Sequence, residues 1–512
     1  MKKLPIGIQS FKKLRENDFL YVDKTEHIFE LVTKSQVYFL SRPRRFGKSL
    51  LVSTLKELFS GNRYLFKDLW IEDKIEWKKY PVVHFEFAKA GYKQIGLDNY
   101  LLLAMKKVAS EHDLEINSTT VGFALEELIR KLYKKYNQQV VLLIDEYDKP
   151  IIDFLGKDEI EIAIKNREIM KEFYSPIKSL DNELRFFFLT GVTRFSKVSI
   201  FSDLNHLLDI SLTPFSATLL GYTEEEILHY FNDYIKKVAK NKNIKETELI
   251  EMMRLWYNGY NFKGEIKVYN PFSVLSFFRH QEFNNYWFET GTPTFLVKLV
   301  AEGGYYDFKN IKTNLPALGN FDITHLTPIA ILFQTGYLTL KEHIVANAYR
   351  LDYPNKEVEN SMVQLLLDEY ARKDTDQTTN LLLQLKENFE NNDLESVFID
   401  LNALFSDIPY QIFDAKKEKY YHSIVFLTFK MLGYYAISEV STSRGRIDAV
   451  VETESTIYIL EFKVNNTAQN ALEQIKEKKY ADKYLNQNKK ITLIGISFEG
   501  KGIKEYVTEE LK

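Results

Sequence analysis

Between residues 37 and 212 the chain alternates short, unbroken apolar runs with amphipathic stretches. The runs are Val37-Tyr38-Phe39-Leu40, Val82-Val83-His84-Phe85-Glu86-Phe87, Val140–Ile144, Phe186–Leu189 and Leu207–Leu212. Continuous rather than alternating apolarity fits strands buried on both faces, so a parallel sheet flanked by helices is expected. This pattern constrains the fold more than any other feature.

At 512 residues the chain is too long for one core, and two to four domains are expected. No repeat or low-complexity linker marks their boundaries, so pattern changes must. From Thr223-Glu224-Glu225-Glu226, a capping box, the pattern turns helical and stays so to about residue 410. One hairpin interrupts it, Tyr337-Leu338-Thr339-Leu340 against Ala348-Tyr349-Arg350-Leu351, and helices before a small hairpin suggest a winged-helix module. After Pro409 a helix (Tyr421–Leu432) precedes strand-like runs at Arg446–Val451, Ile457–Phe462 and Ile491–Ile496. A helix at Ala468–Tyr484 separates the last two. The expected class is α/β in three domains. Residues 1–222 form the parallel-sheet domain, 223–409 a helical, winged-helix-like region, and 410–512 a small α/β domain.

Composition narrows the chemistry. The chain has no cysteine, which excludes disulfides, thiolate metal sites, iron–sulfur clusters and a cysteine nucleophile. Net charge is −3, so nucleic-acid contact must come from local patches. Neither a signal peptide nor an apolar run of membrane-spanning length is visible, and a soluble, cytoplasmic protein is expected.

The first run leads into Arg42-Pro43-Arg44-Arg45-Phe46-Gly47-Lys48-Ser49 and then a helical stretch beginning at Leu50. Gly-Lys-Ser between a strand and a helix is the second half of a P-loop, whose backbone N–H groups cradle phosphate oxygens. Lys48 would reach the β- and γ-phosphates and Ser49 would ligate Mg²⁺. Position 42, where the motif has its first glycine, is arginine, which restricts positive φ there. The partner of this motif is the apolar run ending in Asp145-Glu146, where Asp145 would hold Mg²⁺ and Glu146 would polarise an attacking water. Thr190, at the end of the next run, is placed to sense the γ-phosphate, and Arg194 to stabilise charge, in its own subunit or a neighbour's. Val82–Phe87 is taken as the strand inserted between the P-loop strand and the acidic strand.

These motifs, with Phe201-Ser202-Asp203-Leu204-Asn205 (of which 202, 203 and 205 lie outside the residues described below), Trp256-Tyr257-Asn258-Gly259-Tyr260, Tyr269-Asn270-Pro271-Phe272, Gln334-Thr335-Gly336-Tyr337-Leu338-Thr339 and Tyr353-Pro354-Asn355-Lys356-Glu357-Val358, resemble the bacterial AAA-ATPase-like family over most of residues 1–360. The resemblance implies an ATP site built from Arg44 through Leu50, and makes Arg42 that family's own loop variant.

Near the end, Gly445-Arg446-Ile447-Asp448 and Ile457-Tyr458-Ile459-Leu460-Glu461-Phe462-Lys463 can pair as a hairpin with Asp448 and Glu461 at one end. Glu461 and Lys463, two apart, share a strand face. Two carboxylates can hold Mg²⁺ while a lysine orients water, which is the logic of phosphodiester hydrolysis. Residues 410–510 resemble the PD-(D/E)XK nuclease superfamily, in the branch fused to this same ATPase family. That likeness implies Asp448 and Glu461 as metal ligands, Lys463 as catalytic, Gln474 as a helix-borne site residue and Glu439 as an accessory acid; His422 is equally well a packing residue.

Residues 411–512 hold 16 Lys+Arg and 14 Asp+Glu, no strong footprint for a polyanion. The combined expectation is an ATP-dependent or ATP-gated nuclease acting on nucleic acid, DNA before RNA, with ATP and Mg²⁺ as cofactors, no membrane partner and self-association left open. The alternatives are a nucleotide-operated switch, or a DNA-bound structural ATPase, whose nuclease fold only binds nucleic acid.

Overall fold

The computed structural model describes residues 1–88, 91–156, 159–194, 201, 204, 206–288, 294–302, 305, 308–319, 327–405, 423–432, 436–442, 445–499 and 502–511; for 294, 295, 302, 436–442 and 445–447 it describes the backbone alone. Two compact units are present: residues 1–292 with 308–358, and residues 293–307 with 359–512.

The first unit is built on a parallel five-stranded sheet of β1 (Val37–Ser41), β2 (Val82–Glu86), β3 (Val140–Asp145), β4 (Leu184–Gly191) and β5 (Leu208–Asp209). Its strand order is β2-β3-β4-β1-β5. The order corrects one expectation. The strand between the P-loop strand and the acidic strand is Leu184–Gly191, and Val82–Glu86 lies at the sheet edge beyond β3. Burial explains why. β3 is buried at every position and β4 at all but one, whereas β2 alternates half-buried and buried residues, as a strand with one open edge does. The run Leu207–Leu212 shrinks to the two-residue β5.

Helix Lys48–Phe59 packs Leu51, Val52, Leu55 and Leu58 onto Tyr38, Leu40, Val141, Leu143, Phe186 and Phe188 in the main core. The expected capping box forms: Thr223 accepts from Glu226 N, and the Glu226 carboxylate accepts from Thr223 N. Helices Glu224–Tyr230, Asn232–Lys242, Glu246–Tyr257 and Pro271–His280 follow and close a second core around Phe231, Tyr257, Phe277 and Phe278. Helix Pro328–Thr335 then leads into an antiparallel sheet of β6 (Ile311–Asn314), β7 (Thr339–Val345) and β8 (Ala348–Asp352), in the order β6-β8-β7. The hairpin pairs Leu340 with Leu351, in the segments anticipated.

The second unit carries a five-stranded mixed sheet. β9 (Ala436–Thr442), β10 (Gly445–Glu452) and β11 (Thr456–Val464) form an antiparallel meander. Helix Ala468–Glu477 crosses over to β12 (Lys490–Glu499), parallel to β11, and β13 (Gly502–Leu511) closes the edge. Leu472 and Ile475 of that helix pack on Ile457, Ile459 and Leu493. Among the described residues, no helix is long and apolar enough to cross a membrane.

Candidate functional sites

In the first unit the P-loop joins β1 to the Lys48–Phe59 helix. Arg42 does not turn the chain: its N–H donates to Gly191 O at 3.1 Å, which prolongs the sheet. Its buried guanidinium donates to Ser41 O (2.9 Å), Ser211 O (2.6 Å), Ser216 O (2.7 Å) and Ser216 Oγ (3.2 Å), and lies 4.0 Å from the Phe262 ring. Arg42 is therefore a bracket holding the loop to the chain after β5. The left-handed residues fall later, at Arg45 (φ 66°) and Gly47 (φ 92°).

Truncation by Arg42→Ala takes the guanidinium from the Ser41, Ser211 and Ser216 carbonyls and leaves a cavity, a cost of about 3–5 kcal/mol. Arg42→Gly, which restores the motif's glycine, is expected to cost at least as much. Thermal unfolding checks this; an unshifted midpoint for Arg42→Gly would refute the bracket.

Lys48 is buried and donates to Arg42 O (3.0 Å) and Pro43 O (2.9 Å). Burial lowers its pKa, opposed by Asp145, Glu146 and Asp148. Asp145 is 2% exposed and hydrogen-bonded by Ser49; its Oδ1 has no partner, and burial pushes its pKa up to about 6. Glu146 sits in the left-handed region (φ 56°), an uncommon conformation for a non-glycine residue that clusters at functional sites.

A cavity of about 380 Å³ opens over the loop. Arg44, Arg45, Phe46, Gly47, Lys48, Ser49, Leu50 and Glu146 line it. Its other wall comes from Phe272, in the Tyr269–Phe272 motif, and from residues that carry no motif: Ile8, Tyr21 and Val22 near the start of the chain and Tyr222. No periodicity marks these residues, because they meet only in the fold. Trp287 Nε1 donates to Arg44 O (3.0 Å), another contact across 243 residues.

Thr190 and Arg194 do not line this cavity. The Thr190 hydroxyl donates to Leu40 O at 2.8 Å. Arg194 donates from Nε and Nη2 to Asp209 Oδ2 (3.0 and 2.6 Å), and its N–H bonds Gln334 Oε1 at 2.8 Å.

In the second unit the β10–β11 pairing runs from Glu452↔Ile457 to Ala449↔Leu460, and Asp448 follows at its end. Asp448 Oδ2 accepts from Phe462 N at 2.9 Å. Glu461 is 3% exposed; its pKa is pushed up to about 8, first by burial and then by Asp448. Gln474, on the crossover helix, donates through Nε2 to Glu461 Oε1 and accepts Lys463 Nζ at 2.5 Å on Oε1. Lys463 Nζ is 3.9 Å from Glu461. Asp448, Glu461, Lys463 and Gln474 thus converge from two strands and a helix. The side chain of Glu439 and all of Tyr421 and His422 lie outside the described residues.

Among the described residues, no group of three or more His, Asp or Glu side chains gathers as a metal cage. Yet Glu461 Oε2, like Asp145 Oδ1, is buried without a hydrogen-bond partner. An orphaned carboxylate oxygen costs free energy that a cation would recover. Few carboxylates and all-oxygen donors suit Mg²⁺, which keeps several waters. The residues at both sites fit it.

A raised carboxyl pKa carries a stability consequence. The stability that protonated Glu461 contributes is fully present below about pH 4.5 and is lost as pH rises through about 8. In chelator at pH 8, Glu461→Gln is expected to be more stable than wild type. The gap should close near pH 5. Thermal melts across that range test it, and a variant less stable at pH 8 would contradict the burial argument.

Fold and sites together define a P-loop, AAA-ATPase-like α/β chain that ends in a restriction-endonuclease-like α/β domain. The family model described as "Predicted AAA-ATPase" matches residues 5–201, and that of the PD-(D/E)XK nuclease superfamily matches residues 416–506. An uncharacterised protein in the vnfD 5′ region of Azotobacter chroococcum mcd 1 is 39% identical over 533 aligned positions, covering 100% of this chain and 99% of the relative. The chain belongs to the same family as that protein.

Among solved structures, the Aeropyrum pernix ORC1 protein in complex with DNA aligns with 67% of this chain and 91% of its own at 11% identity and a TM-score of 0.24. Drosophila ORC bound to DNA aligns with 67% and 85% at 9% identity and a TM-score of 0.23. Likenesses this low carry no argument about fold or function.

Proposed function

We propose that this protein is an ATP-gated nuclease: nucleotide bound at residues 44–50 controls Mg²⁺-dependent hydrolysis of phosphodiester bonds in nucleic acid, DNA foremost, at Asp448, Glu461 and Lys463. The observation that carries the nuclease half is the buried, unpartnered Glu461 Oε2 beside Asp448 and the Gln474-held Lys463. The domains are read as 1–222, 223–409 and 410–512, with a winged-helix-like hairpin in the middle region.

In the first unit, Lys48 exchanges the Arg42 and Pro43 carbonyls for phosphate oxygens, Ser49 and Asp145 hold the cation, and Glu146 orients water and takes its proton. Thr190 acts through the strand end it secures. In the second, Asp448 and Glu461 hold the cation, and Gln474 keeps the Lys463 ammonium aimed at the scissile phosphate. Mg²⁺, when bound, supplies charge neutralisation and Lewis-acid polarisation of the phosphoryl oxygens.

The test is cleavage of plasmid, linear duplex and RNA, each with and without Mg²⁺ and with ATP, ADP or neither. The reading expects Mg²⁺-dependent cleavage whose rate changes with nucleotide. Intact substrates in Mg²⁺ under every nucleotide would favour a switch that only binds nucleic acid.

A further inference from the structure

The turn after the acidic strand continues Asp145-Glu146-Tyr147-Asp148-Lys149-Pro150, adding an acid and a base to the Asp145-Glu146 pair. Asp148 is buried, and its Oδ2 accepts from Val192 N (2.9 Å), Thr193 N (2.6 Å) and Thr193 Oγ1 (2.7 Å). Gly191, just before this anchor, leaves no room for a Cβ, which would lie 2.6 Å from Asp148 Oδ1. The backbone at this turn is therefore fixed against β4.

Lys149 is the next residue. Its N–H donates to Glu146 O at 3.0 Å, and the residue lines the cavity together with Lys48, Ser49 and Glu146. The ammonium is 3.3 Å from Asp153 Oδ1. Asp153 has stronger partners on its other oxygen: Lys93 Nζ at 2.8 Å and Tyr92 Oη at 2.9 Å. Lys149 can leave Asp153 without stranding that carboxylate, so the cost of moving it is small. Arg194 differs in each respect. It does not line the cavity, and withdrawing it would strip Asp209 of a two-nitrogen contact.

We propose that Lys149 is a catalytic residue of the first unit, its ammonium passing from Asp153 to a terminal phosphate oxygen of the bound nucleoside triphosphate. There it stabilises the charge that builds up on phosphoryl transfer to water. The bond from the water oxygen to the γ-phosphorus forms as the γ-phosphorus–oxygen bond to the β-phosphate breaks. The electron pair of the broken bond stays on the diphosphate, and the water proton passes to Glu146. Lys149 transfers no proton. The same chain thus supplies the charge-stabilising cation that many P-loop enzymes take from an arginine finger. The proposal rests on the ATPase reading of the cavity.

Steady-state hydrolysis and binding of a fluorescent ADP analogue, on the full chain in Mg²⁺, test it. Lys149→Ala is expected to lower kcat by roughly 10²-fold or more while ADP affinity stays within about threefold and the melting curve is unchanged. Lys149→Arg should recover part of the rate. Asp153→Asn, which loosens the resting contact, should leave kcat at or above wild type, and Arg194→Ala should lower thermal stability more than it lowers kcat. Wild-type kcat in Lys149→Ala would overturn the assignment, and so would a rate loss matched by equal losses of ADP affinity and stability. Absence of turnover in the wild type would instead remove the ATPase reading itself.

Discussion

Lys463→Ala is expected to reduce Mg²⁺-dependent cleavage by roughly 10²–10³-fold, with little change in folding. The ammonium is held at 2.5 Å by Gln474 Oε1, and the amide of the same glutamine donates to Glu461. One helix residue therefore fixes both the lysine and the buried carboxylate, and each is placed by β11 within two positions of the other. Removing the ammonium leaves Glu461 less opposed by positive charge, so its pKa should rise further. The direction follows from the lowering influence Lys463 has on it now. Gln474→Ala should give a smaller loss, because the lysine stays but is no longer aimed. Cleavage of a supercoiled plasmid, measured beside far-UV circular dichroism, separates lost chemistry from lost fold. Cleavage by Lys463→Ala at the wild-type rate would remove the assigned site.

The second large effect is at the P-loop. Lys48→Ala is expected to weaken ATP binding by roughly 10²-fold or more, since it truncates the buried cation of a charged contact. The ammonium also bonds Arg42 O and Pro43 O, so the lysine closes the loop on itself. Its removal should therefore also loosen the loop, visible as a modest fall in melting temperature. Titration with a fluorescent ATP analogue measures the binding loss. Unchanged binding and hydrolysis would end the nucleotide argument for residues 44–50.

Much of this arrangement could be read along the chain, because it rests on local patterns. Gly47-Lys48-Ser49 between a strand and a helix, the apolar run into Asp145-Glu146, and Asp448 ahead of Glu461-x-Lys463 each declare themselves within a few residues. The Thr223–Glu226 capping box is equally local, and it forms as expected. What escaped depends on partners distant in sequence. The guanidinium of Arg42 is tied to carbonyls about 170 positions on, and nothing near residue 42 announces that. Order along the chain does not give order in the sheet; the sequence cue to the edge position of Val82–Glu86 is polar His84 and Glu86 alternating with Val83 and Phe85, against the unbroken Phe186–Leu189. In the sequence Lys149 is only a lysine after an acidic turn, and its place at the cavity comes from the fold.

The central claim is that one chain couples a nucleotide site to a phosphodiester-cleaving site. It is tested most directly by plasmid cleavage at fixed Mg²⁺ as ATP is varied, in wild type and in Lys48→Ala. The account predicts that the wild-type rate depends on ATP concentration while that of Lys48→Ala does not respond. Equal cleavage by both proteins at every ATP concentration would contradict it.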